Sequence, residues 1–133
     1  MKLKTDFVTN SSSSSFVVWG KMFDDSETKE IFGKKTFEYH KANLKDFHRA
    51  YDTLEEFMEE GAFRDWFSFF VEDCGLEETY YFDQFGVGKS PTKMGDQQTL
   101  GDFKKQIAEA FSKMGFTISP EDLHFVELCW EDR

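Results

Sequence analysis

Phe63-Arg64-Asp65-Trp66-Phe67-Ser68-Phe69-Phe70-Val71-Glu72-Asp73-Cys74-Gly75-Leu76-Glu77-Glu78-Thr79-Tyr80-Tyr81-Phe82-Asp83-Gln84-Phe85 changes period in its middle, and that change decides the fold class. In its first half Phe63, Trp66, Phe67 and Phe70 stand at i, i+3, i+4 and i+7, the stripe of a helix that buries one aromatic face. Cys74-Gly75 supplies the stop. From Glu78 to Phe85 the aromatic and β-branched residues suit a pleated surface and lie between glycines, which predicts a strand.

Upstream, Phe16-Val17-Val18-Trp19-Gly20 reads as a strand that can extend through Met22 and Phe23, and Asp24-Asp25-Ser26 as a helix start. A short helical turn over Ser26 to Phe32 is expected to stop at Gly33. Phe37, His40, Leu44, Phe47, Tyr51, Leu54 and Met58 recur at gaps of three and four, so one bent helix or two are expected there. Thr53-Leu54-Glu55-Glu56 fits a capping box, so a helix can begin at Thr53, and Gly61 interrupts it. Downstream, a loop over Gly86 to Gln98 leads to Thr99, which opens a helix with Leu100, Phe103, Ile107, Phe111 and Met114 on one face and Gly115 at its end. Phe116 to Ile118 and His124 to Trp130 read as a strand pair, or as a strand approached by a turn at Ser119-Pro120-Glu121-Asp122. Strands near both ends with helices between them imply an α+β fold, a small and mostly antiparallel sheet packed against three to four helices.

The 133 residues make one domain, 1–133, with 1–15 expected as a flexible N-terminal segment. Seventeen Phe, four Tyr and three Trp supply a core without disulfides, so Cys74 and Cys129 are expected as reduced thiols. Met1-Lys2-Leu3-Lys4 is followed by no apolar run of signal-peptide or membrane-span type, which predicts a cytoplasmic protein. Sixteen bases against 26 acids leave a formal net charge of -10, which argues against direct nucleic-acid binding. That charge is localised. Residues 1–51 carry nine bases and seven acids, and residues 84–133 carry six and eight, but residues 52–83 carry eleven acids against Arg64 alone.

No stretch has the spacing of a known chemistry, so no catalytic residue, cofactor or metal is predicted. Gly86-Val87-Gly88-Lys89-Ser90 has Asp83 where a phosphate loop needs its first glycine. His40, His48, His124, Cys74 and Cys129 include no pair at a ligand spacing, and His40 shares an apolar stripe with Phe47, as a core-edge histidine does. Ser11 to Ser15 reads as a hydroxyl-rich loop leading into the first strand. The acids are the feature with a functional reading. Glu55 with Glu59 and Glu56 with Glu60 are like-charge i, i+4 pairs, which lower helix stability by a few tenths of a kcal/mol each. Solubility of an aromatic-rich domain explains such a face. So does a negative patch, formed by Glu55, Glu56, Glu59, Glu60, Asp65, Glu72 and Asp73, that binds the basic surface of a partner protein.

Lys4-Thr5-Asp6-Phe7-Val8-Thr9-Asn10-Ser11-Ser12-Ser13-Ser14-Ser15-Phe16-Val17 resembles the opening of many small proteins of bacteria, archaea and their phages: Asp or Gly, Phe-Val, Ser or Thr, Asn, a serine run, then Phe. Gly88 to Lys104 is similar to a late segment in some of them, which usually reads Asp-Asp-Glu-Thr where this chain has Gly95-Asp96-Gln97-Gln98-Thr99. The resemblance covers about a quarter of the chain and implies no established activity, but it favours a phage or mobile-element origin. The leading expectation is a non-enzymatic acidic binding protein, in its sharpest form a phage inhibitor of host defence that mimics nucleic acid toward a nucleic-acid-handling protein. The alternative is a structural or self-assembly module, a homo-oligomer joined through surplus aromatics such as Trp19, Tyr80, Phe69 and Trp130.

Overall fold

A computed structural model describes residues 13–131 of the chain. The order is β1 (Ser13–Asp24), α1 (Asp25–Ala42), α2 (Leu54–Glu59), α3 (Phe63–Asp73), β2 (Glu77–Tyr81), β3 (Gln84–Lys89), α4 (Leu100–Lys113) and β4 (His124–Glu131). Single 3₁₀ turns at Pro91–Lys93 and Pro120–Asp122 precede α4 and β4. The four strands form one antiparallel sheet in the order β2-β3-β1-β4, an α+β architecture as the sequence implies.

β1 is longer than expected and begins inside the serine run, with Ser13, Ser14 and Ser15 laddered against Glu131, Trp130 and Cys129. Those three serines are therefore strand and not loop, while residues 1–12, Ser11 and Ser12 among them, lie outside the described residues. Gly20 does not end the strand. The strand runs on through it, paired with β4 from Ser13 to Gly20 and with β3 from Trp19 to Asp24. A Cβ on Gly20 would strike the Val87 carbonyl oxygen, so only glycine permits this crossing. Phe16 and Met22 stand six residues apart, yet both lie within 3.4 Å of where a Gly86 side chain would begin. They form a small apolar cluster with Leu128, on the face where Val18 and Val126 are also buried.

The main core lies on the other face. Phe23 and Phe85, paired across the sheet, meet Phe32 of α1, Phe67 of α3 and Phe111 of α4. α1 starts at an Asp24 capping box, in which Asp24 accepts from the Glu27 amide at 2.7 Å and Glu27 accepts from the Asp24 amide. It does not stop at Gly33. That glycine is buried in the helix with Met58 packed against it, 3.2 Å from where a Cβ would lie, so its role is to admit a neighbour and not to turn the chain. The periodic stretch after Phe37 divides. α1 ends at Asn43, residues 43–53 form a loop in which Leu44 and Phe47 are exposed, and α2 begins after Thr53 as expected. The Thr53 hydroxyl caps the Glu56 amide, and the Glu56 carboxylate reaches the Asp52 amide. Gly61 and Gly75, both at positive φ, close α2 and α3.

The single strand expected over Glu78 to Phe85 is a hairpin. Phe82 and Asp83 both have positive φ and make its two-residue turn, of the kind Asn-Gly usually forms. Asp83 compensates the backbone strain, accepting from the Tyr80 hydroxyl at 2.9 Å and, through its carbonyl, from the Asp25 amide at 2.8 Å. Gly86 to Lys89, expected as loop, is β3 itself. Phe116 to Ile118 is not a strand, and β4 is approached by the turn at Pro120.

Candidate functional site

α2, α3 and the loop of residues 43–53 carry the candidate site. α3 turns Phe63, Trp66, Phe67 and Phe70 into the core, which leaves Asp65, Phe69, Glu72 and Asp73 exposed. α2 buries Phe57 and exposes Glu55, Glu59 and Glu60, with Glu56 half-buried against its own cap. The seven acids expected to bind a partner therefore share one helical segment but not one spot. Four belong to α2 and its cap, Asp65 lies in the first turn of α3, and Glu72 and Asp73 stand at its far end, about 10 Å further along the helix axis.

Besides Glu56, which accepts from the Asp52 amide, two of these acids have fixed partners. Glu60 pairs with Arg49 at 3.3 Å, and Asp73 lies beside the Tyr39 hydroxyl, which burial and then that negative charge push up. Arg64, the one base of the segment, lays its guanidinium 4.1 Å over the Tyr80 ring. Among the described residues the other ion pairs are Lys29 with Asp25 and Lys93 with Glu77. Glu55, Glu59, Asp65 and Glu72 are in none of them.

The end of α3 faces the 43–53 loop across an open groove of about 640 Å³. Trp66, 7% exposed, is its floor. The Trp66 ring lies edge-on between two imidazoles, His40 beneath and His48 above, each with its centroid 4.7 Å away. Phe69 stands perpendicular to Trp66 at 5.2 Å, and Phe47 caps His48 at 4.4 Å while remaining 81% exposed. The loop is held by a reciprocal turn, in which the Lys45 amide donates to His48 Nδ1 at 3.1 Å and the His48 amide to the Lys45 carbonyl at 2.9 Å. The Tyr51 amide donates to His40 Nε2 at 3.3 Å.

His40 is therefore deeper than the core-edge position expected for it. It is fully buried, its Nδ1 has no partner among the described residues, and burial followed by His48 lowers its pKa. Cys74 is a free, half-buried thiol, pushed up by burial, and the Cys129 side chain lies outside the description. No three of His, Cys, Asp and Glu gather as metal ligands among the described residues. No described helix is long and apolar enough to cross a membrane. The aromatics proposed for self-assembly do not form one surface. Trp19 is half-buried against Phe125 with Lys104 over its ring, Tyr80 lies under Arg64, Phe69 belongs to the groove, and the Trp130 side chain is outside the description.

No family model, curated protein or solved structure matches this chain. The site is read from its own geometry. The sequence supplied the acids but not the aromatic groove, because Phe47 and His48 approach Trp66 and Tyr39 of α1 only through a loop whose apolar spacing imitates a helix.

Proposed function

We propose that the protein is a non-enzymatic binding module whose acidic α2–α3 surface engages the basic surface of a partner protein. The observation that supports this most is where the acids sit on their helices. A helix C-terminus carries partial negative charge and is stabilised by cations. Glu59 and Glu60 end α2, Glu72 and Asp73 end α3, and neither helix has a base in its last turn. Glu59 and Glu72, which are in none of the ion pairs among the described residues, each work against their own helix by about 0.3–1 kcal/mol. Solubility is indifferent to position along a helix and is met at lower cost elsewhere, so the placement favours a binding role.

In its sharpest form the partner is a nucleic-acid-handling protein of the host, whose phosphate-binding channel the acidic helices occupy as a phage or mobile-element inhibitor of defence. The experiment is retention of proteins from nuclease-treated host lysate on the tagged chain at low and high salt, with identification by mass spectrometry. A near-stoichiometric nucleic-acid enzyme that is lost at high salt, and lost from the Glu55→Gln, Glu59→Gln, Glu72→Gln variant, is the expected result. Retention that ignores both salt and the substitutions would sink the electrostatic mechanism. Light scattering that finds stable oligomers at tens of micromolar would favour the self-assembly module instead.

A further inference from the structure

The groove at the end of α3 combines three properties that single out one kind of occupant. Its walls are aromatic rings set at steep angles to one another. Trp66 is nearly perpendicular to Phe69 at 89° and to His48 at 74°, and Tyr39 is inclined to Trp66 at 64°. Ring faces are negative and ring edges positive, so a pocket with rings on several sides attracts a cation that also brings flat or apolar surface. Its rim carries Glu72 and Asp73. Its lip is Phe47, the most exposed phenylalanine here together with Phe82, although burial of such a ring stabilises a fold by about 1.5–3 kcal/mol.

We propose that this groove anchors an arginine side chain of the partner, a refinement that rests on the acidic-surface reading above. The guanidinium is planar, weakly hydrated for a cation, and stacks on aromatic faces while its N–H groups fork onto a carboxylate. Phe47, His48 and Phe69 supply the aromatic lining and Glu72 the carboxylate. The Lys45 amide donates to His48 Nδ1, which fixes this ring in the groove wall. Lys45 is the one cation on the lining, and it opposes the occupant. The acids of α2 lie outside the groove and act at longer range, raising the encounter rate with a basic segment.

The test uses the full chain and a blocked tetra-arginine peptide, with the isosteric but uncharged tetra-citrulline peptide as control. Calorimetry reads affinity and the Trp66 indole N–H resonance reads location. The expected result is that tetra-arginine binds and moves the Trp66 signal while tetra-citrulline does neither. Phe47→Ala and Phe69→Ala, both at exposed positions where the fold is retained, should each weaken binding about tenfold. Glu72→Gln should weaken it about threefold to fivefold, and Lys45→Ala should tighten it about twofold. Glu55→Gln with Glu59→Gln should leave the Trp66 shift in place and reduce mainly the salt dependence. Binding of tetra-arginine that survives Phe47→Ala and Phe69→Ala, or is lost only with the α2 acids, would overturn the anchor and leave the acidic surface standing. Equal binding of tetra-citrulline would overturn the cation requirement. Failure of tetra-arginine to bind at low salt would overturn the anchor and the acidic-surface reading together.

Discussion

α1 and α4 follow the rule that α2 and α3 break. α1 has Asp25 and Glu27 in its first turn and Lys41 in its last, and α4 has Asp102 first and Lys113 last, so both complement their macrodipoles. α2 and α3 also begin with acids, Glu55 and Glu56 in one and Asp65 in the other, but they end on acids as well. All four helices pack into the same aromatic core, so the contrast is confined to their outer faces. Where stability alone selects surface charge, acids gather at the start of a helix and bases at its end. Where it does not, another demand is acting on the surface, and here that surface adjoins an aromatic groove.

The contrast can be broken or sharpened by experiment. The largest effect tests whether α3 is held by its inner face alone. Phe67→Ala should cost about 3–5 kcal/mol in chemical denaturation, and Phe69→Ala about 0.5 kcal/mol or less, since Phe67 is fully buried and Phe69 is 44% exposed. Equal losses would mean that the groove wall is structural.

The second tests the floor of the groove through pH. Burial holds His40 below its ordinary value of 6.5, so the unfolded chain takes up a proton more readily than the folded one. Stability is then complete above that value and falls as pH drops below it. The slope from this one group is at most about 1.4 kcal/mol per pH unit. Denaturation midpoints at stepped pH should fall between about pH 7 and 5.5 and flatten in His40→Gln, with 6.5 the unshifted reference. An unchanged slope in the variant would show that His40 is not desolvated.

Glu78 gives an effect of opposite sign. Burial pushes its carboxyl up, against a hydrogen bond from Ser68, and its Oε2 is buried without a partner among the described residues. A raised carboxyl value means stability that is present at low pH and lost as pH rises through that value. Glu78→Gln should therefore stabilise the fold by about 1 kcal/mol at neutral pH and do nothing at low pH. The smallest effects bear on the helix ends themselves. Glu72→Gln and Asp73→Asn should each raise stability by about 0.3–1 kcal/mol, and Lys113→Gln should lower it by a similar amount. If all three shift in one direction, the contrast between the helix pairs has no energetic content.

Much of the fold was legible because periodicity and punctuation agree. The aromatic stripe of α3, the Thr53 and Thr99 caps, the positive-φ glycines 61, 75 and 115, and the core residues Phe103, Ile107 and Phe111 follow from local rules. The failures share one cause, a residue whose local preference was overridden by something distant in sequence. Gly33 resembles a helix stop until Met58 is seen against it. Phe82-Asp83 lacks the chemistry of a tight turn, and its turn is held by Asp25 and Tyr80. Of the site, the acids were visible as composition. The groove was not, since Leu44, Phe47 and Tyr51 carry helical spacing but lie in a loop or at its edge.

The central claim is that the acids of α2 and α3 serve binding at the expense of stability, and one variant tests both halves. Glu55→Gln, Glu59→Gln, Glu72→Gln and Asp73→Asn combined should denature at higher urea than the parent and should lose the salt-sensitive protein that the parent retains from nuclease-treated host lysate. A variant that is no more stable, or that retains the same protein to the same extent, would contradict the account.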